Sequence, residues 1–187
     1  MTKKVLIMIA EKSETVEIVA PVDTLRRIEG IEVTIASVHG REPVKTTADI
    51  IITPDVALSE VDKDAYDAII MPGGEGYVNL AQSKLVGEIL KNQYEKGKLV
   101  AGICMSPNVF LANGIGLGNK LTSYPYKTEA LKEKYQYVED NVVQDKNMIT
   151  SRGPGTVYAY AFKIAENLVS IDKVKASAQL NLFPNLY

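Results

Sequence analysis

The sequence is poor in the residues that form disulfides and metal sites. Its 187 residues include one cysteine, Cys104, one histidine, His39, and no tryptophan. A single cysteine excludes an internal disulfide and favours a reducing compartment. One cysteine and one histidine cannot supply the ligands of a usual zinc site. We therefore expect a cytoplasmic protein that folds without a disulfide or zinc.

The sequence also lacks an excess of one charge and a long apolar run. It has 21 basic and 23 acidic residues, a formal net charge of −2 and no basic block, so specific nucleic-acid binding is not expected. No apolar stretch approaches the ~20 residues that a membrane helix needs, so we expect no membrane partner. The short apolar run near the N-terminus is followed by Glu11, Lys12 and Glu14. We interpret this run as a first strand rather than a signal peptide.

Short apolar runs alternate regularly with helical patterns along the chain. Apolar strands that alternate with helices are typical of an α/β protein with a mostly parallel sheet covered on both faces. No repeat, low-complexity tract or linker interrupts the alternation, so we expect one domain over residues 1–187. The predicted strands are Val5–Ala10, Glu32–Val38, Ile50–Thr53, Tyr66–Met71, Leu99–Ile103 and Asn147–Thr150, and the predicted helices are 13–28, Ser83–Lys96, Pro107–Asn113 and Val157–Val169.

The ends of the helices carry their own signals. Ser13 is placed to cap the first helix, Pro21 is expected to kink it, and Gly30 to stop it. The tail after Ile171 has scattered apolar residues. It either packs as a final helix or covers a partner.

Three turns follow predicted strands and carry unusual residues. They are Pro72-Gly73-Gly74, Cys104-Met105-Ser106-Pro107 and the segment from Ser151 to Thr156. In an open α/β sheet, ligands bind at the carboxyl ends of the strands. We therefore expect the three turns to lie on one rim and to form the functional site.

Cys104 lies where a predicted strand gives way to a helix, similar to a nucleophile elbow but without the full G-x-S-x-G spacing. A helix start offers free amides and partial positive charge, which favour the thiolate, the nucleophilic and oxidisable form. The amides of Gly73, Gly74 and Met105 could form an oxyanion hole beside it. The alternative is a small buried core cysteine, and the residues alone leave both interpretations open.

Glu17 falls on a weakly polar stripe of the first predicted helix, with Ala20, Pro21 and Thr24 as neighbours. A partly buried carboxylate has its ionisation disfavoured and can shuttle a proton. The alternative is a solvated first-turn glutamate that stabilises the helix dipole. This pattern also leaves both interpretations open.

The remaining candidates are weaker. No motif links His39 to Cys104, so we expect an ordinary surface histidine, and a papain-like Cys–His pair is poorly supported. Arg152 could bind an anion or pair with a carboxylate, or simply hold its loop. The P-loop and G-x-G-x-x-G patterns are absent, so no nucleotide cofactor is expected.

Motifs spread over nearly the whole chain carry a family resemblance. They are Glu17, Pro21-Val22-Asp23, Arg26-Arg27, Pro43-Val44, Pro54-Asp55, Met71-Pro72-Gly73-Gly74, Ala101-Gly102-Ile103-Cys104 and Thr150-Ser151-Arg152-Gly153-Pro154-Gly155-Thr156. With these motifs the chain resembles the DJ-one family, named for a parkinsonism-associated deglycase, within the ThiJ/PfpI superfamily. The last motif is the most specific.

The resemblance implies a flavodoxin-like three-layer α/β sandwich that forms a homodimer and needs no metal or organic cofactor. Cys104 matches the family's reactive, easily oxidised cysteine, and Glu17 matches the glutamate whose protonated carboxyl bonds to that sulfur. Gly73, Gly74 and Met105 match the surrounding backbone donors. We expect Ser151, Arg152 and Pro154 to complete the substrate-binding rim.

The chain departs from the family pattern at several positions. Tyr124, in Thr122-Ser123-Tyr124-Pro125, stands where the family often has a histidine, and tyrosine is a poor base at neutral pH. Met105 replaces a smaller alanine and is expected to narrow the pocket. Thr46 and Thr53 replace cysteines of some members, so any cysteine redox chemistry must use Cys104.

Two functions follow from the resemblance. The first is a glyoxalase and protein deglycase that acts on methylglyoxal or a glycated protein through Cys104, Glu17 and Tyr124, in the response to oxidative stress. The second is a redox-sensing chaperone whose cysteine is oxidised to sulfinate, with little turnover. A cysteine protease is a third interpretation that the placement of the one histidine does not favour.

Overall fold

A seven-stranded sheet forms the middle layer of the protein, which a computed structural model describes over residues 1–183. Every strand pairing in this sheet is parallel apart from that of β10 with β11, and the order is β10-β11-β7-β6-β1-β2-β5. In chain order the strands are β1 (Lys3–Ile9), β2 (Ile31–Ser37), β3 (Val44–Lys45), β4 (Ile51–Ile52), β5 (Val56–Ala57), β6 (Ala68–Met71), β7 (Leu99–Ile103), β8 (Lys120–Leu121), β9 (Gln136–Tyr137), β10 (Val142–Asp145) and β11 (Met148–Ser151).

Helices cover both faces of this sheet. Val5, Ile7 and Ile9 of β1 pack into one core, while Leu6 and Met8 pack into the other. Because side chains alternate along a strand, burial on both faces requires the continuous apolar run that the sequence shows. The helices are α1 (Thr15–Arg26), α2 (Tyr77–Gln82), α3 (Lys84–Glu95), α4 (Pro107–Ala112), α5 (Glu129–Lys134), α6 (Val157–Glu166) and α7 (Ile171–Leu180).

This architecture is the predicted three-layer α/β sandwich. Helices α1, α6 and α7 contribute to the first core, and α2, α3 and α4 contribute to the second. The tail after Ile171 does form a final helix, since Val174 and Ala178 of α7 are buried in the same core as α6. Within residues 1–183, no helix combines the length and the apolar character needed to cross a membrane.

The start of the first helix corrects one prediction. Glu14, not Ser13, caps α1, because its carboxylate accepts a 2.7 Å hydrogen bond from the amide of Glu17. The hydroxyl of Ser13 instead accepts from the amide of Ala10, 3.1 Å away, and so closes the turn after β1. The helix continues through Pro21.

The end of the first helix differs as well. It finishes at Arg26, so Gly30 does not stop it. Gly30 adopts φ +89° in the turn that leads into β2, a conformation that glycine takes without steric cost.

Apart from β4, the two-residue strands were not predicted. The hairpin β3–β4, the strand β5 and the pair β8–β9 contain only two residues per strand, too few to show a period. The segment Ile50–Thr53 contracts to the two residues of β4. Of these pieces, the β3–β4 hairpin contributes to the wall of the cavity described below, through Lys45 and the turn residues Thr46, Thr47 and Asp49.

Candidate active site

Cys104 forms a sharp elbow between β7 and α4. It adopts φ +63°, a left-handed conformation that costs a non-glycine residue about 1–3 kcal/mol. Two backbone hydrogen bonds of 2.9 Å hold this conformation, from the Cys104 amide to the carbonyl of Ser151 and from the Tyr124 amide to the carbonyl of Cys104. The elbow therefore connects β11 with the loop that carries Tyr124.

Ser106 ties the elbow to the neighbouring strand. Its buried hydroxyl lies 2.9 Å from the carbonyl of Met71 in β6 and 2.8 Å from that of Ile103 in β7. Both contacts lie at the carboxyl ends of adjacent strands. They fix the turn that carries the sulfur relative to the Gly73-Gly74 turn.

Gly73 is the point of closest approach between the two turns. A Cβ atom at this position would lie 2.6 Å from the Cβ of Cys104, 2.7 Å from the amide nitrogen of Met105 and 2.9 Å from Oε2 of Glu17. Only glycine fits in this space. The Gly73 amide donates a 2.7 Å hydrogen bond to Oε2 of Glu17, so Gly73 serves the carboxyl group rather than the predicted oxyanion hole.

Glu17 is fully buried beneath the elbow. Its second oxygen, Oε1, is also buried and accepts no hydrogen bond of standard geometry from any residue in 1–183. Burial raises the pKa of Glu17 to about 7, assisted by the charge of Glu14 and opposed by the Gly73 amide and the Cys104 thiol. Glu17 is thus not a solvated first-turn residue, and its carboxyl can gain and lose a proton near neutral pH.

The sulfur of Cys104 is almost buried, with 7% of the residue exposed. Burial, together with the negative charge of Glu17, raises the pKa of the Cys104 thiol to about 12, although the amides of Gly74 and Met105 lower it by donating hydrogen bonds. The expectation that a helix start makes the thiolate favourable is therefore wrong here. Helix α4 has six residues and starts at Pro107, three positions after the sulfur, so burial outweighs its dipole.

Glu17 and Cys104 behave as one acid–base pair. Two contributions that raise the pKa of Cys104, the charge and the hydrogen bond of Glu17, come from the ionised carboxylate. When Glu17 is protonated, the charge disappears and its O–H can donate to the sulfur. Protonation of Glu17 would therefore remove one of the contributions that oppose ionisation of the Cys104 thiol.

A cavity of about 850 Å³ opens above the sulfur. Of the predicted site residues, Gly74, Cys104, Met105 and Tyr124 line it, while Glu17 and Gly73 are buried at the base of the elbow. The remaining lining residues are Glu11, Lys12, Lys45, Thr46, Thr47, Asp49, Glu75, Tyr77, Val78, Tyr126 and Lys127.

Three predicted substrate-binding residues do not line this cavity. The hydroxyl of Ser151 donates to the carbonyl of Asn141, 2.8 Å away, and the guanidinium of Arg152 donates to the carbonyl of Glu139, 2.9 Å away. Pro154 is exposed in the turn that precedes α6. Ser151 lies behind Cys104, whose amide donates to its carbonyl, and the role of these three residues in substrate binding stays a prediction.

Two side-chain predictions concern residues outside the elbow. His39 is exposed and does not line the cavity, as expected of an ordinary surface histidine. Thr46 is buried in the wall, with its hydroxyl 2.6 Å from that of Thr15, whereas Thr53 is exposed. Among residues 1–183, no group of His, Cys, Asp and Glu side chains is arranged to hold a metal ion.

Sequence reasoning missed the rest of the cavity wall. Lys12 pairs with Glu75 at 3.1 Å and Lys45 pairs with Asp49 at 2.7 Å. No motif marks these four residues, because they come from three separate segments of the chain. Tyr77 and Tyr126 had a weak signal, since Tyr77 follows the Gly73-Gly74 turn and Tyr126 lies two residues after Tyr124.

The fold and the elbow together define a class of protein: an open, mostly parallel α/β sheet with a cysteine at the carboxyl end of a central strand, above a buried, protonatable glutamate. The family model described as "DJ-1/PfpI family" matches residues 3–167. The chain belongs to the DJ-1/PfpI family.

Individual relatives cover most of the chain. Protein dj-1beta of Drosophila melanogaster is 44% identical over 181 residues, 96% of each chain, and a crystal structure of Drosophila melanogaster DJ-1beta matches with a TM-score of 0.94 at 43% identity, covering 97% of this chain and 98% of the other. Glutathione-independent glyoxalase DJR-1.2 of Caenorhabditis elegans is 39% identical over 93% of each chain. A deglycase of Pyrococcus abyssi is 34% identical, covering 84% of this chain and 94% of its own.

Proposed function

We propose that this protein is a cofactor-free glyoxalase and protein deglycase that acts on methylglyoxal and its adducts through Cys104, in the response to oxidative stress. The observation that carries the proposal is the pairing of a nearly buried thiol with a buried carboxyl whose pKa lies at about 7, under a cavity. The relatives named glyoxalase and deglycase support the same chemistry.

The first step forms a covalent adduct. The thiol proton of Cys104 passes to Glu17, and the thiolate attacks the aldehyde carbon of methylglyoxal, forming a C–S bond. The aldehyde oxygen becomes an oxyanion beside the amides of Gly74 and Met105, and Glu17 returns the proton to it. The product is a hemithioacetal.

The second step moves a hydrogen between the two carbons. The carboxylate of Glu17 removes the proton from the former aldehyde carbon, giving an enediol, and the proton then returns to the neighbouring carbon. The resulting thioester is hydrolysed by water to lactate and free thiol, so methylglyoxal and one water are consumed. Tyr124, at the cavity wall, is placed as a hydrogen-bond donor to a substrate oxygen.

Glycated proteins react through the same series of steps. In the glycated protein, one carbon carries both the hydroxyl group and the amine. The thiolate of Cys104 attacks this carbon and displaces the amine, which Glu17 protonates as it leaves. The C–N bond breaks as the C–S bond forms, and the same hemithioacetal results. The amine of the protein is thereby restored.

The test is lactate formation from methylglyoxal by the wild type, Cys104→Ala and Glu17→Gln. We expect Cys104→Ala to fall to the uncatalysed rate and Glu17→Gln to lose about 10²–10⁴-fold in kcat, the usual contribution of a general acid–base. Lactate is measured enzymatically, with Ser170→Ala as the control, because Ser170 is exposed and its side chain caps no amide. Equal rates in all variants would contradict the proposal.

The second candidate is a redox-sensing chaperone with little turnover. Two equivalents of peroxide would convert the thiol of Cys104 to a sulfinate and release two waters. The amides of Gly74 and Met105 and a protonated Glu17 are donors for its oxygens. Intact mass after mild peroxide treatment distinguishes the candidates: a stable gain of two oxygens on Cys104, without lactate formation, favours the sensor.

We also propose that the protein is a cytoplasmic homodimer. Val16 and Val19 of α1 are 44% and 50% exposed, and Ile50 and Ile51 of the β3–β4 hairpin are 51% and 67% exposed. Exposed apolar side chains of this kind mark interaction surfaces when they cluster. The absence of a second cysteine from the sequence supports a reducing compartment.

A further inference from the structure

Exposed apolar side chains gather around the cavity over Cys104. Val78, Tyr124 and Tyr126 are 41%, 46% and 56% exposed, and all three line the cavity, together with the partly buried Tyr77. A cluster of exposed apolar side chains beside a reactive group is typical of a binding surface. None of these residues is needed to form the acid–base pair.

The aromatic side chains are held close to the sulfur by short backbone connections. The Tyr124 amide donates to the carbonyl of Cys104 at 2.9 Å, and the Tyr126 amide donates to the carbonyl of Tyr124 at 2.8 Å. The Lys127 ammonium lies 5.2 Å from the centre of the Tyr126 ring, within range of a cation–π interaction. On the other side, Tyr77 begins α2, directly after the turn whose Gly74 amide bonds to the sulfur.

The cavity is much larger than a three-carbon aldehyde requires. Its volume of about 850 Å³ lies in the upper part of the ~300–1,000 Å³ range of pockets that enclose drug-sized ligands. The charges of Lys12 and Lys45 are balanced by Glu75 and Asp49 through ion pairs. Size and aromatic character, rather than a net charge, thus distinguish this cavity.

We propose that Tyr77, Tyr124 and Tyr126 form a subsite for the flat, apolar substituent of larger 2-oxoaldehydes, such as an aryl glyoxal. Aromatic rings bind one another in offset or edge-to-face contacts worth about 0.5–1.5 kcal/mol beyond the area they bury. Turnover at this subsite rests on the proposed function: phenylglyoxal and one water would give mandelate, with the aldehyde carbon oxidised and the ketone carbon reduced. Recognition of the ring does not depend on turnover, because it can be measured through the rate at which the Cys104 thiol is alkylated.

The test therefore measures recognition without turnover. Cys104 is alkylated with 2-bromoacetophenone and, separately, with bromoacetone; each reaction forms a C–S bond and releases bromide. Intact mass follows each alkylation and gives its second-order rate constant. The rate constant for 2-bromoacetophenone is divided by that for bromoacetone. This ratio is then divided by the same ratio measured with glutathione, which corrects for the different intrinsic reactivities of the two reagents. We expect the corrected ratio to be about 10 or more for the wild type, as expected of one or two aromatic contacts.

Variants locate the effect. Tyr126→Ala should lower the corrected ratio about 3–10-fold, the loss of one aromatic contact, whereas Tyr126→Phe should retain it. Tyr158→Ala is the matched control, because Tyr158 is 43% exposed but does not line the cavity. A corrected ratio near 1 in the wild type, or equal ratios for Tyr126→Ala and the wild type, would overturn the subsite.

A second measurement separates this inference from the proposed function. It compares kcat/KM for phenylglyoxal with that for methylglyoxal in the wild type and in Tyr126→Ala. Turnover of both substrates with the same preference in both proteins would reject the subsite and leave the glyoxalase intact. A shifted alkylation ratio without turnover of either substrate would reject the glyoxalase and leave the subsite intact.

Discussion

At the scale of single residues, the chemistry depends on where one proton resides. The carboxyl of Glu17 has a pKa of about 7 because it is buried, and the ionised form of the same group opposes thiolate formation at Cys104. The protonation state of Glu17 therefore affects how easily the Cys104 thiol ionises. A reactive thiolate at Cys104 stays a prediction.

The raised pKa of Glu17 predicts how stability changes with pH. An unfolded glutamate loses its proton near pH 4.5, whereas the folded group keeps it until about pH 7. The folded state thus binds more protons between these values, and its stability falls as pH rises, by about 3 kcal/mol in total. The stabilising contribution is complete below pH 4.5 and is lost as pH rises through about 7.

Urea unfolding of the wild type and Glu17→Gln at a series of pH values between 4.5 and 8 measures this contribution. Glutamine has a similar shape but does not ionise, so the variant should lack that part of the slope. Parallel stability curves for the two proteins would show that Glu17 does not titrate with a raised pKa.

The sequence predicted the two central residues of the candidate site but not their electrostatic state. Cys104 and Glu17 stand out because each has an unusual position for its chemical type. Burial of the sulfur and the diversion of the Gly73 amide to Glu17 are tertiary effects, since they depend on how closely two turns approach. The roles of Tyr124 and Met105 in catalysis stay predictions.

At the scale of elements, the elbow between β7 and α4 is held by its neighbours. The hydroxyl of Ser106 contacts the carbonyls of Met71 and Ile103 in a fully buried position. The Ile103 carbonyl also accepts from the Ser106 amide, so the side chain matters most for the link to Met71. This link joins the two strands whose ends carry Gly73 and Cys104.

We expect Ser106→Ala to lower the free energy of unfolding by about 1–2 kcal/mol, because a buried hydrogen bond is lost. Urea unfolding at pH 7 measures the change. Ser170→Ala is the control, since this exposed serine caps no amide with its side chain, and it should change stability by less than about 0.5 kcal/mol. Equal effects of the two substitutions would show that the hydroxyl does not stabilise the elbow.

The sequence specified long elements better than short ones. The strand Leu99–Ile103 and the helix capped by Ser83 agree with the structure, because their apolar patterns extend over enough residues. The two-residue strands depend on tertiary contacts that no local pattern records. The predicted cap of α1, Ser13, is replaced by Glu14, because the hydroxyl of Ser13 accepts a hydrogen bond from the Ala10 amide instead.

At the scale of the whole molecule, the exposed face of α1 and the β3–β4 hairpin predict association. Introducing a charge at Val19 or Ile51 would bury an unpaired ion in the interface, which is strongly unfavourable. We expect Val19→Arg and Ile51→Arg each to weaken dimerisation by about tenfold or more. Sedimentation equilibrium measures the dissociation constant.

Leu117→Arg is the matched control for this experiment. Leu117 is 53% exposed but lies in the loop between α4 and β8, away from α1 and the hairpin in sequence. It should leave the dissociation constant unchanged. A monomeric wild type, or the same dissociation constant in all three variants, would contradict the proposed dimer surface.

The arrangement as one domain stays a prediction, although the strands from β1 to β11 do join in one sheet. The family match ends at residue 167, yet α7 still buries Val174 and Ala178 in the core beside α6. The last described segment thus contributes packing beyond the region that defines the family.

Pro21 has a consequence for the acid that lies one turn before it in α1. Proline has no amide hydrogen, so the carbonyl of Glu17 receives no i+4 hydrogen bond from residue 21. The turn of α1 that carries the buried acid therefore has one backbone hydrogen bond fewer than an uninterrupted helix, and the Gly73 amide, which donates to Oε2 at 2.7 Å, is the group that holds the carboxyl in place.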